Sequence, residues 1–206
     1  KYLLKYKDVD VKYHIPDDIL QVLTVWQEMI SIFDVGEKIS PVILTQEFYK
    51  SYTKKEFAKL KPWKQNYISK NKPLYIKYKK QWDKWYKKNK LVLNKRSIYG
   101  QLDWQVGVIK ENDSIFDYFI QIRQSGIRVK KAKYFPTLVA ISQIPIYGKE
   151  KRYLTPRECA KIQSFPDDFI LHTDDRQSYK QLGNSVNCHN VKNIIHSTLS
   201  QYNFIK

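Results

Sequence analysis

Cysteine, methionine and long apolar runs are what this sequence has least of. Its two cysteines, Cys159 and Cys188, form neither a disulfide framework nor a metal-ligand pattern, which favours a reducing, intracellular (cytoplasmic) setting. No apolar run approaches the roughly 20 residues that span a bilayer, and no secretory signal is visible, so no membrane partner is expected. The single methionine is Met29 and the first residue is Lys1, so we expect a fragment, a trimmed subunit or a sequence preceded by further residues.

Acidic residues are also scarce relative to basic ones. The chain has 37 Lys and Arg against 20 Asp and Glu, a formal net charge of +17. Between Lys50 and Gly100 there are seventeen basic residues and only two acids, Glu56 and Asp83, so this quarter of the chain carries +15 of the total. Such a concentration fits a polyanionic partner, because each neutralised phosphate releases counterions. A lysine face that is merely solvated is the alternative interpretation.

Helical patterns dominate the first half of the chain. Apolar residues recur there with helical spacing, and two start signals precede them: Pro16 followed by two acids, and a capping box formed by Thr53 and Glu56. The predicted helices span residues 17–33, 54–60 and 74–88, with an extended piece at 41–44 and irregular structure at 91–105.

The pattern then becomes extended and rich in Phe, Ile, Val and Tyr, which predicts strands over 118–123, 134–142 and 144–147. Residues 124–131 contain one glycine and several basic residues, and they predict a loop between the first two strands. An arginine there can pair with guanine, while a lysine more often holds phosphate. Charges that only solvate a hairpin tip are the alternative interpretation. The candidate DNA-binding residues lie on or beside the predicted loop: Arg123, Ser125, Gly126, Arg128, Lys130 and Lys131.

A second capping box and a glycine-containing turn stand out further along. Thr155 and Glu158 have the capping-box spacing, and they predict a short helix that ends before Pro166. Residues 183–185, Gly-Asn-Ser, predict a tight turn before a last helix. Free backbone N–H groups at such a helix start suit an anionic group of a ligand, although an ordinary helix cap is the alternative.

These two stretches also resemble a known family. Leu-Thr-Pro-Arg-Glu-Cys-Ala from Leu154, followed by Gln-Ser-Phe-Pro-Asp from Gln163, is similar to the ninth motif of the DNA cytosine-5 methyltransferases. Tyr-Lys-Gln-Leu-Gly-Asn-Ser-Val from Tyr179 is similar to their tenth motif. The order and spacing of the two motifs make the match specific.

The resemblance implies a role for each motif. The tenth motif lines the pocket of the cofactor S-adenosylmethionine, which implies cofactor binding by Asn184, Ser185 and Val186. The ninth motif organises the target-recognition region, which implies a structural role for Leu154, Thr155, Arg157 and Glu158. By its position before the ninth motif, the basic loop resembles the recognition region itself.

The catalytic motifs of the family are missing from this sequence. Methylation of cytosine at C5 needs a thiolate that adds to C6, and the family's nucleophile follows a proline in a Pro-Cys-Gln motif. Cys159 follows Glu158 and Cys188 follows Asn187, so neither has that context. The Gly-rich cofactor loop, the Glu-Asn-Val motif and the Gln-x-Arg-x-Arg motif are also absent. No catalytic residue and no metal site is therefore predicted.

The predicted fold is α+β, with mixed helices and short strands of a target-recognition domain. Residues 1–16 are expected to be a linker or strand from a catalytic domain, and residues 17–168 the recognition domain with the ninth motif. Residues 169–206 would return to the α/β catalytic domain, whose cofactor pocket a C-terminal helix would complete.

The expected function is DNA recognition and pocket completion in a cytosine-5 DNA methyltransferase acting on double-stranded DNA. Its catalytic half would lie in the same polypeptide or in a separate subunit. A stand-alone DNA-binding module with methyltransferase remnants is one alternative. A restriction endonuclease that shares the recognition region is another, although no clustered Asp, Glu and Lys residues support it.

Overall fold

The computed structural model describes residues 3–39, 43–95, 101–103, 107–123, 126–130, 135–141, 143–202 and 204. The helices in these residues are α1 (Asp17–Ile30), α2 (Thr45–Phe48), α3 (Lys54–Ala58), α4 (Pro62–Lys77), α5 (Lys79–Asn94), α6 (Pro156–Ile162), α7 (Asp175–Asn184) and α8 (Cys188–Gln201). The strands are β1 (Lys38–Ile39), β2 (Ile43–Leu44), β3 (Gln101–Asp103), β4 (Gly107–Val108), β5 (Phe119–Arg123), β6 (Gly126–Lys130), β7 (Ile146–Tyr147) and β8 (Arg152–Tyr153). The predicted α+β class is confirmed.

Helix α1 lies at the centre of the larger core. Its buried side includes Val22, Leu23, Trp26 and Met29, which recur with helical spacing. The indole N–H of Trp85 on α5 donates to the carbonyl of residue 25 at 2.9 Å, so the two helices are in direct contact. The predicted helix is confirmed, although it ends at residue 30 rather than 33.

The two long basic helices differ from their predicted bounds. Pro62 starts α4 instead of breaking a helix, because a missing N–H costs nothing at the first helical position. Pro73 lies inside α4, which continues to Lys77, and Tyr78 separates it from α5. The predicted helix 74–88 is therefore divided between two helices. Residues 91–94, predicted to be irregular, are helical.

Six strands form one mixed sheet in the order β2-β3-β6-β5-β7-β8, in which only the β3–β6 pair is parallel. Strands β1 and β4 form a separate antiparallel pair. The longest pairing joins β5 to β6, with Gln121 opposite Arg128 and Arg123 opposite Gly126. The third predicted strand is confirmed in part as β7, whereas β8 was not predicted.

The prediction of a basic loop over 124–131 is wrong for most of its length. Residues 126–130 form strand β6, because Ile127 and Val129 are buried on one face while Arg128 and Lys130 lie on the other. Ser125 and Lys131 lie outside the described residues. The predicted strand 134–142 is also wrong over its described part, since residues 135–141 contain no strand.

The six-stranded sheet separates two cores. Ile120, Ile127 and Ile146 face the larger core with helices α1 and α5. Phe119 faces a smaller core, which it shares with Leu154, with Cys159 and Ala160 of α6 and with Leu182 of α7. The basic residues of β5 and β6 therefore lie on the same side of the sheet as the ninth and tenth motifs. Among the helices described above, none is long and apolar enough to cross a membrane.

Candidate functional site

The ninth motif is built around a buried ion pair. The guanidinium of Arg152 on β8 meets the carboxylate of Glu158 on α6 through two parallel contacts of 2.7 and 2.9 Å. Arg152 is 0% exposed and Glu158 is 2% exposed, so water does not screen the pair. The capping box predicted from sequence is confirmed: the hydroxyl of Thr155 accepts from the Glu158 N–H at 3.2 Å, and the carboxylate accepts from the Thr155 N–H at 2.8 Å.

The same pair holds the N-terminal segment of the chain. The backbone N–H of Leu4 donates to the Glu158 carboxylate at 2.7 Å, and the Leu4 carbonyl accepts from Arg152. Further along that segment, Asp175 at the start of α7 binds the Tyr13 hydroxyl at 2.9 Å and the Lys12 amine at 2.7 Å. The ninth and tenth motif regions are thus both tied to residues 4–13.

The carboxyl of Glu158 stays ionised in its buried position. Burial alone would raise its pKa, but hydrogen bonds from Arg152, from the Leu4 N–H and from the Thr155 N–H outweigh burial and hold the pKa below its ordinary value. A carboxylate with this many fixed donors is not available as a general acid or base. Its geometry is that of a structural anchor.

The other ninth-motif residues also contact the fold. Leu154 is completely buried, and its carbonyl accepts from the Tyr179 hydroxyl on α7, which joins the two motifs. Burial raises the pKa of that hydroxyl, so it remains a donor. The guanidinium of Arg157 donates to the carbonyl of Asp167 at 3.2 Å and fixes the chain after α6.

The two cysteines lie in different environments, and only that of Cys159 excludes a nucleophilic role. Cys159 is completely buried, and burial together with the neighbouring carboxylate raises the pKa of its thiol far above the ordinary range. Cys188 is the first residue of α8, and its N–H donates to the carbonyl of Gln163 at 2.9 Å. Within the described residues there is also no group of three His, Cys, Asp or Glu side chains that could hold a metal ion.

The turn predicted at residues 183–185 lies two residues later. Gly183 and Asn184 are the last residues of α7, and the turn runs through Ser185 to Asn187, which caps α8. Gly183 is needed for close approach and not for a turn, because a Cβ atom there would lie 2.2 Å from the carbonyl carbon of Val139.

The candidate cofactor-binding residues differ in their contacts within the chain and in their exposure. The hydroxyl of Ser185 contacts the Gln163 amide oxygen and lies 2.8 Å from the carbonyl of Leu182. Asn184 is exposed, and Val186 is 66% exposed. The N–H groups of residues 188 and 190 already have protein acceptors, so the start of α8 offers an anion fewer donors than the sequence suggested.

Helix α8 carries an apolar face that nothing in the described part of the chain covers. None of its 14 residues is buried. A groove of about 550 Å³ runs along it, and Ile195 in this groove is 53% exposed. The groove is lined mainly by residues that recur one helical turn apart: Val186, Cys188, Val191, Ile195, His196 and Leu199.

The basic candidates on β5 and β6 are brought together around a buried glutamine. The side-chain oxygen of Gln121 accepts from Arg123 at 2.6 and 3.2 Å, while its amide donates to the carbonyls of Thr137 and Gln143. Arg128 pairs with Gln121 across the strands, so it lies beside Arg123 on the same face. Both arginines are half-buried.

Sequence reasoning did not single out Arg152 or Gln121. Arg152 lies six residues before its partner and belongs to a strand of two residues, too short for a periodic signal. For Gln121 a signal was present: it is the polar centre of the otherwise apolar run Phe-Ile-Gln-Ile, at a position that alternation assigns to one face of the sheet.

Known proteins match this arrangement of motifs. A family model described as C-5 cytosine-specific DNA methylase matches residues 12–200. The chain is similar to the Type II methyltransferase M.AluI of Cellulosimicrobium cellulans, with 38% identity over 96 residues, which are 46% of this chain and 18% of that protein. It is 61% identical over 44 residues to the Type II methyltransferase M.BanI of Aneurinibacillus aneurinilyticus, covering 21% of this chain and 10% of that protein.

A third relative is the Type II methyltransferase M.HhaI of Haemophilus parahaemolyticus, with 33% identity over 79 residues, or 38% of this chain and 24% of that protein. The chain thus spans less than a quarter of the length of these relatives. No solved structure matches it significantly. Because the family model covers most of the sequence, the chain belongs to the C-5 cytosine-specific DNA methylase family.

Proposed function

We propose that this chain is the DNA-recognition and cofactor-pocket-completing part of a cytosine-5 DNA methyltransferase, and that the catalytic half lies outside it. The complete enzyme would transfer a methyl group from S-adenosylmethionine to C5 of a cytosine in duplex DNA. The observation that carries the proposal is the uncovered apolar face of α8, which follows directly on the tenth motif.

An exposed apolar groove on a helix marks a surface that another structure covers. Residues 191, 195 and 199 recur every four positions, so they form one stripe that a single partner surface can bury. Neither thiol of this chain is placed to attack cytosine: Cys159 is sealed in the core, and Cys188 lies on the face that the partner would cover. The nucleophile would therefore come from the catalytic half.

The turn before α8 fits one wall of a cofactor pocket. Asn184 and Val186 are exposed and could contact S-adenosylmethionine with an amide and an apolar surface. Ser185 is already bonded within the fold and would act by shaping the turn. S-adenosylmethionine would supply the methyl group once the catalytic half completed the pocket.

Strands β5 and β6 would supply DNA contacts. Arg123 and Arg128 lie side by side, and an arginine fork can read the two acceptors of guanine in the major groove. The hydrogen bonds from Arg123 to the buried Gln121 fix the direction of one fork, which limits the entropy lost on binding. Methylation would also require the target cytosine to leave the duplex and enter the catalytic half.

Methyl transfer from tritiated S-adenosylmethionine to unmethylated genomic DNA, which contains every short site, tests the proposal. The chain alone is expected to give no transfer above a DNA-free background. Adding a catalytic half that carries the Pro-Cys-Gln motif and the Gly-rich loop, in cis or as a separate subunit, is expected to produce transfer. Robust transfer by the chain alone would contradict the proposal. Salt-dependent DNA binding with no gain from the added polypeptide would favour the stand-alone binding module.

A matched pair of variants locates the surface involved. Ile195→Asp is expected to abolish the methyl transfer that the catalytic half produces. Because the residue is exposed, the variant is expected to change the free energy of unfolding by less than about 0.5 kcal/mol. Val35→Asp places the same charge on a residue that is 65% exposed outside α8, and it is expected to keep the full gain. Equal loss of transfer in both variants would exclude the α8 groove as the docking surface.

A further inference from the structure

Helix α5 presents a stripe of lysines that the proposed recognition strands do not explain. Its core side consists of Trp82, Trp85, Asn89 and Leu93. At 100° per residue, positions 80, 84 and 87 lie on the opposite side of the helix, and all three are exposed lysines. We call Lys80, Lys84 and Lys87 the α5 lysine stripe.

The two acids that pair with lysines of α5 bind lysines outside the stripe. Lys88 binds Glu28 at 3.0 Å on the side that faces α1. Asp83 is the single acid of α5, and it contacts Lys79 and accepts from the Tyr75 hydroxyl at 3.0 Å. Among the described residues, no acidic side chain forms an ion pair with a lysine of the stripe.

This arrangement is unfavourable for an isolated helix. Lysines four and three residues apart are neighbours on a helix surface, and like charges at those spacings destabilise it. A surface kept only for solubility would be served equally well by interspersed acids, which would remove the repulsion. A bound polyanion relieves the repulsion in another way, by neutralising all three charges at once.

The geometry suits the phosphate backbone of a duplex. Lys80 and Lys87 are about 10 Å apart along the helix axis, at 1.5 Å per residue, which is roughly three base-pair steps of 3.4 Å. Lysine makes point-charge contacts on a flexible stem and so tolerates any sequence. The aromatic residues of α5 are not free to stack on unpaired bases: Trp82 and Trp85 are buried, and Tyr86 packs against the larger core and stacks on Tyr49. This favours double-stranded over single-stranded nucleic acid.

A membrane surface fits less well. A helix that lies on a bilayer inserts an apolar face between flanking basic residues. The apolar face of α5 is already buried against α1, where Trp82 and Trp85 belong to the larger core. The side of α5 that remains for a partner carries the lysines and one exposed apolar residue, Leu91, which is too little apolar surface to insert into a bilayer.

The stripe also lies apart from the candidate recognition residues. Ile127 and Val129 of β6 face the core that contains α5, whereas Arg128 lies on the opposite face of the sheet. We propose that the α5 lysine stripe binds phosphates of duplex DNA without sequence preference, as an anchor separate from β5 and β6. This inference rests on the proposed function, because it assumes that the chain acts on DNA.

The test uses the full chain and a fluorescent 30-base-pair duplex of random sequence, with affinity measured by anisotropy at several salt concentrations. The triple variant K80Q/K84Q/K87Q is expected to lower the slope of log K against log salt by about 2.7, since each phosphate contact contributes about 0.9. Its affinity is expected to fall about tenfold or more. The control variant K5Q/K7Q/K180Q removes three exposed lysines outside α5 and has the same net charge as K80Q/K84Q/K87Q. That control is expected to change the slope by less than half as much.

Two results would overturn the inference. One is a loss of slope in the stripe variant that is absent or no greater than in the control, which would show that the stripe makes no phosphate contacts of its own. The other is an unchanged duplex affinity of the stripe variant together with reduced binding to single-stranded RNA or to phosphatidylserine vesicles. Circular dichroism checks that both variants remain folded.

The outcome is independent of the methyl-transfer assay. A lowered slope without any gain from the catalytic half would refute the proposed function and keep the DNA-binding stripe. Conversely, methyl transfer that increases with the catalytic half, together with an unchanged salt slope in the stripe variant, would support the proposed function and refute the DNA-binding stripe.

Discussion

Helix α6 of the ninth motif and helix α8, which follows the tenth motif, differ in how much of their surface the chain buries. Helix α6 has only seven residues, yet four of them are buried: Pro156, Glu158, Cys159 and Ala160. Helix α8 has 14 residues, and none is buried. A seven-residue helix is too short to persist alone in water, so α6 depends on the packing that surrounds it. Helix α8 has an apolar stripe that no described residue covers.

The two helices also differ in how their ends are held. Both begin with a side-chain cap, Thr155 on α6 and Asn187 on α8. On α6, the capping carboxylate of Glu158 is also half of a buried ion pair and binds Leu4, a residue 154 positions away. On α8, the cap of Asn187 reaches only the adjacent turn and the end of α6. Among the described residues, α6 is therefore held by distant parts of the chain, whereas the cap of α8 makes only nearby contacts.

The largest expected effect comes from breaking the α6 anchor. Glu158→Gln leaves the Arg152 guanidinium buried without its counter-charge, which is expected to lower the free energy of unfolding by about 3 to 5 kcal/mol. Urea unfolding at pH 7 measures the loss. Glu56→Gln is the matched control, because Glu56 closes the same kind of capping box on α3 but is exposed. A similar loss in both variants would mean that the cap, and not the buried pair, stabilises α6.

The pH dependence of unfolding sharpens the same comparison. The pKa of Glu158 is lower in the folded chain than in the unfolded one, so its contribution is fully present above the unfolded pKa of about 4.3. The contribution is lost as pH falls through the folded pKa. The difference in unfolding free energy between the parent chain and Glu158→Gln is therefore expected to shrink below about pH 4. A difference that stays constant down to pH 3 would contradict the ionised, buried carboxylate.

A smaller loss of stability is expected at Gly183, where alanine should have the opposite effect to the one it usually has in a helix. Gly→Ala inside a helix ordinarily stabilises by about 0.5 to 1 kcal/mol. Here the added Cβ would overlap the backbone of Val139 and Ala140, so Gly183→Ala is expected to destabilise by about 1 to 3 kcal/mol. Gln181→Ala, at an exposed position of the same helix, is the control and is expected to change stability little. Stabilisation by Gly183→Ala, read from thermal unfolding, would rule out the close approach.

Features decided within a few residues could be predicted from the sequence. Both capping boxes and most of α1 were predicted correctly, because a Thr–Glu spacing of three and a helical apolar stripe are local signals. Strand β6 was not, since Gly126 and the basic residues around it favour a loop locally. The neighbouring strands β3 and β5, which hydrogen-bond to it on both sides, decide its conformation.

The position of the candidate site could be predicted from the sequence for the same reason. The main contacts within the site could not. The motifs themselves are short runs of sequence, so Thr155 and Glu158 could be placed on a helix. The partners of Glu158 are Arg152, on another element, and Leu4, near the start of the described chain, and no periodicity links them. Gly183 was assigned to a turn because Gly-Asn-Ser favours turns, whereas the reason for the glycine is a contact with residues 139–140.

The smallest perturbation that distinguishes α6 from α8 is chemical modification of the cysteine that each helix carries. Cys159 is completely buried on α6 and its thiol pKa is raised by burial, whereas Cys188 is half-buried in the α8 groove. Native chain treated with a chromogenic disulfide reagent is expected to release one equivalent of thiolate, with the second appearing only after unfolding. Cys188→Ser is expected to remove the native equivalent. If the catalytic half covers α8, Cys188 should react at least tenfold more slowly in the complex. An unchanged rate in a complex that transfers methyl groups would mean that the partner docks elsewhere, and α8 would then be a surface helix with no part in assembly.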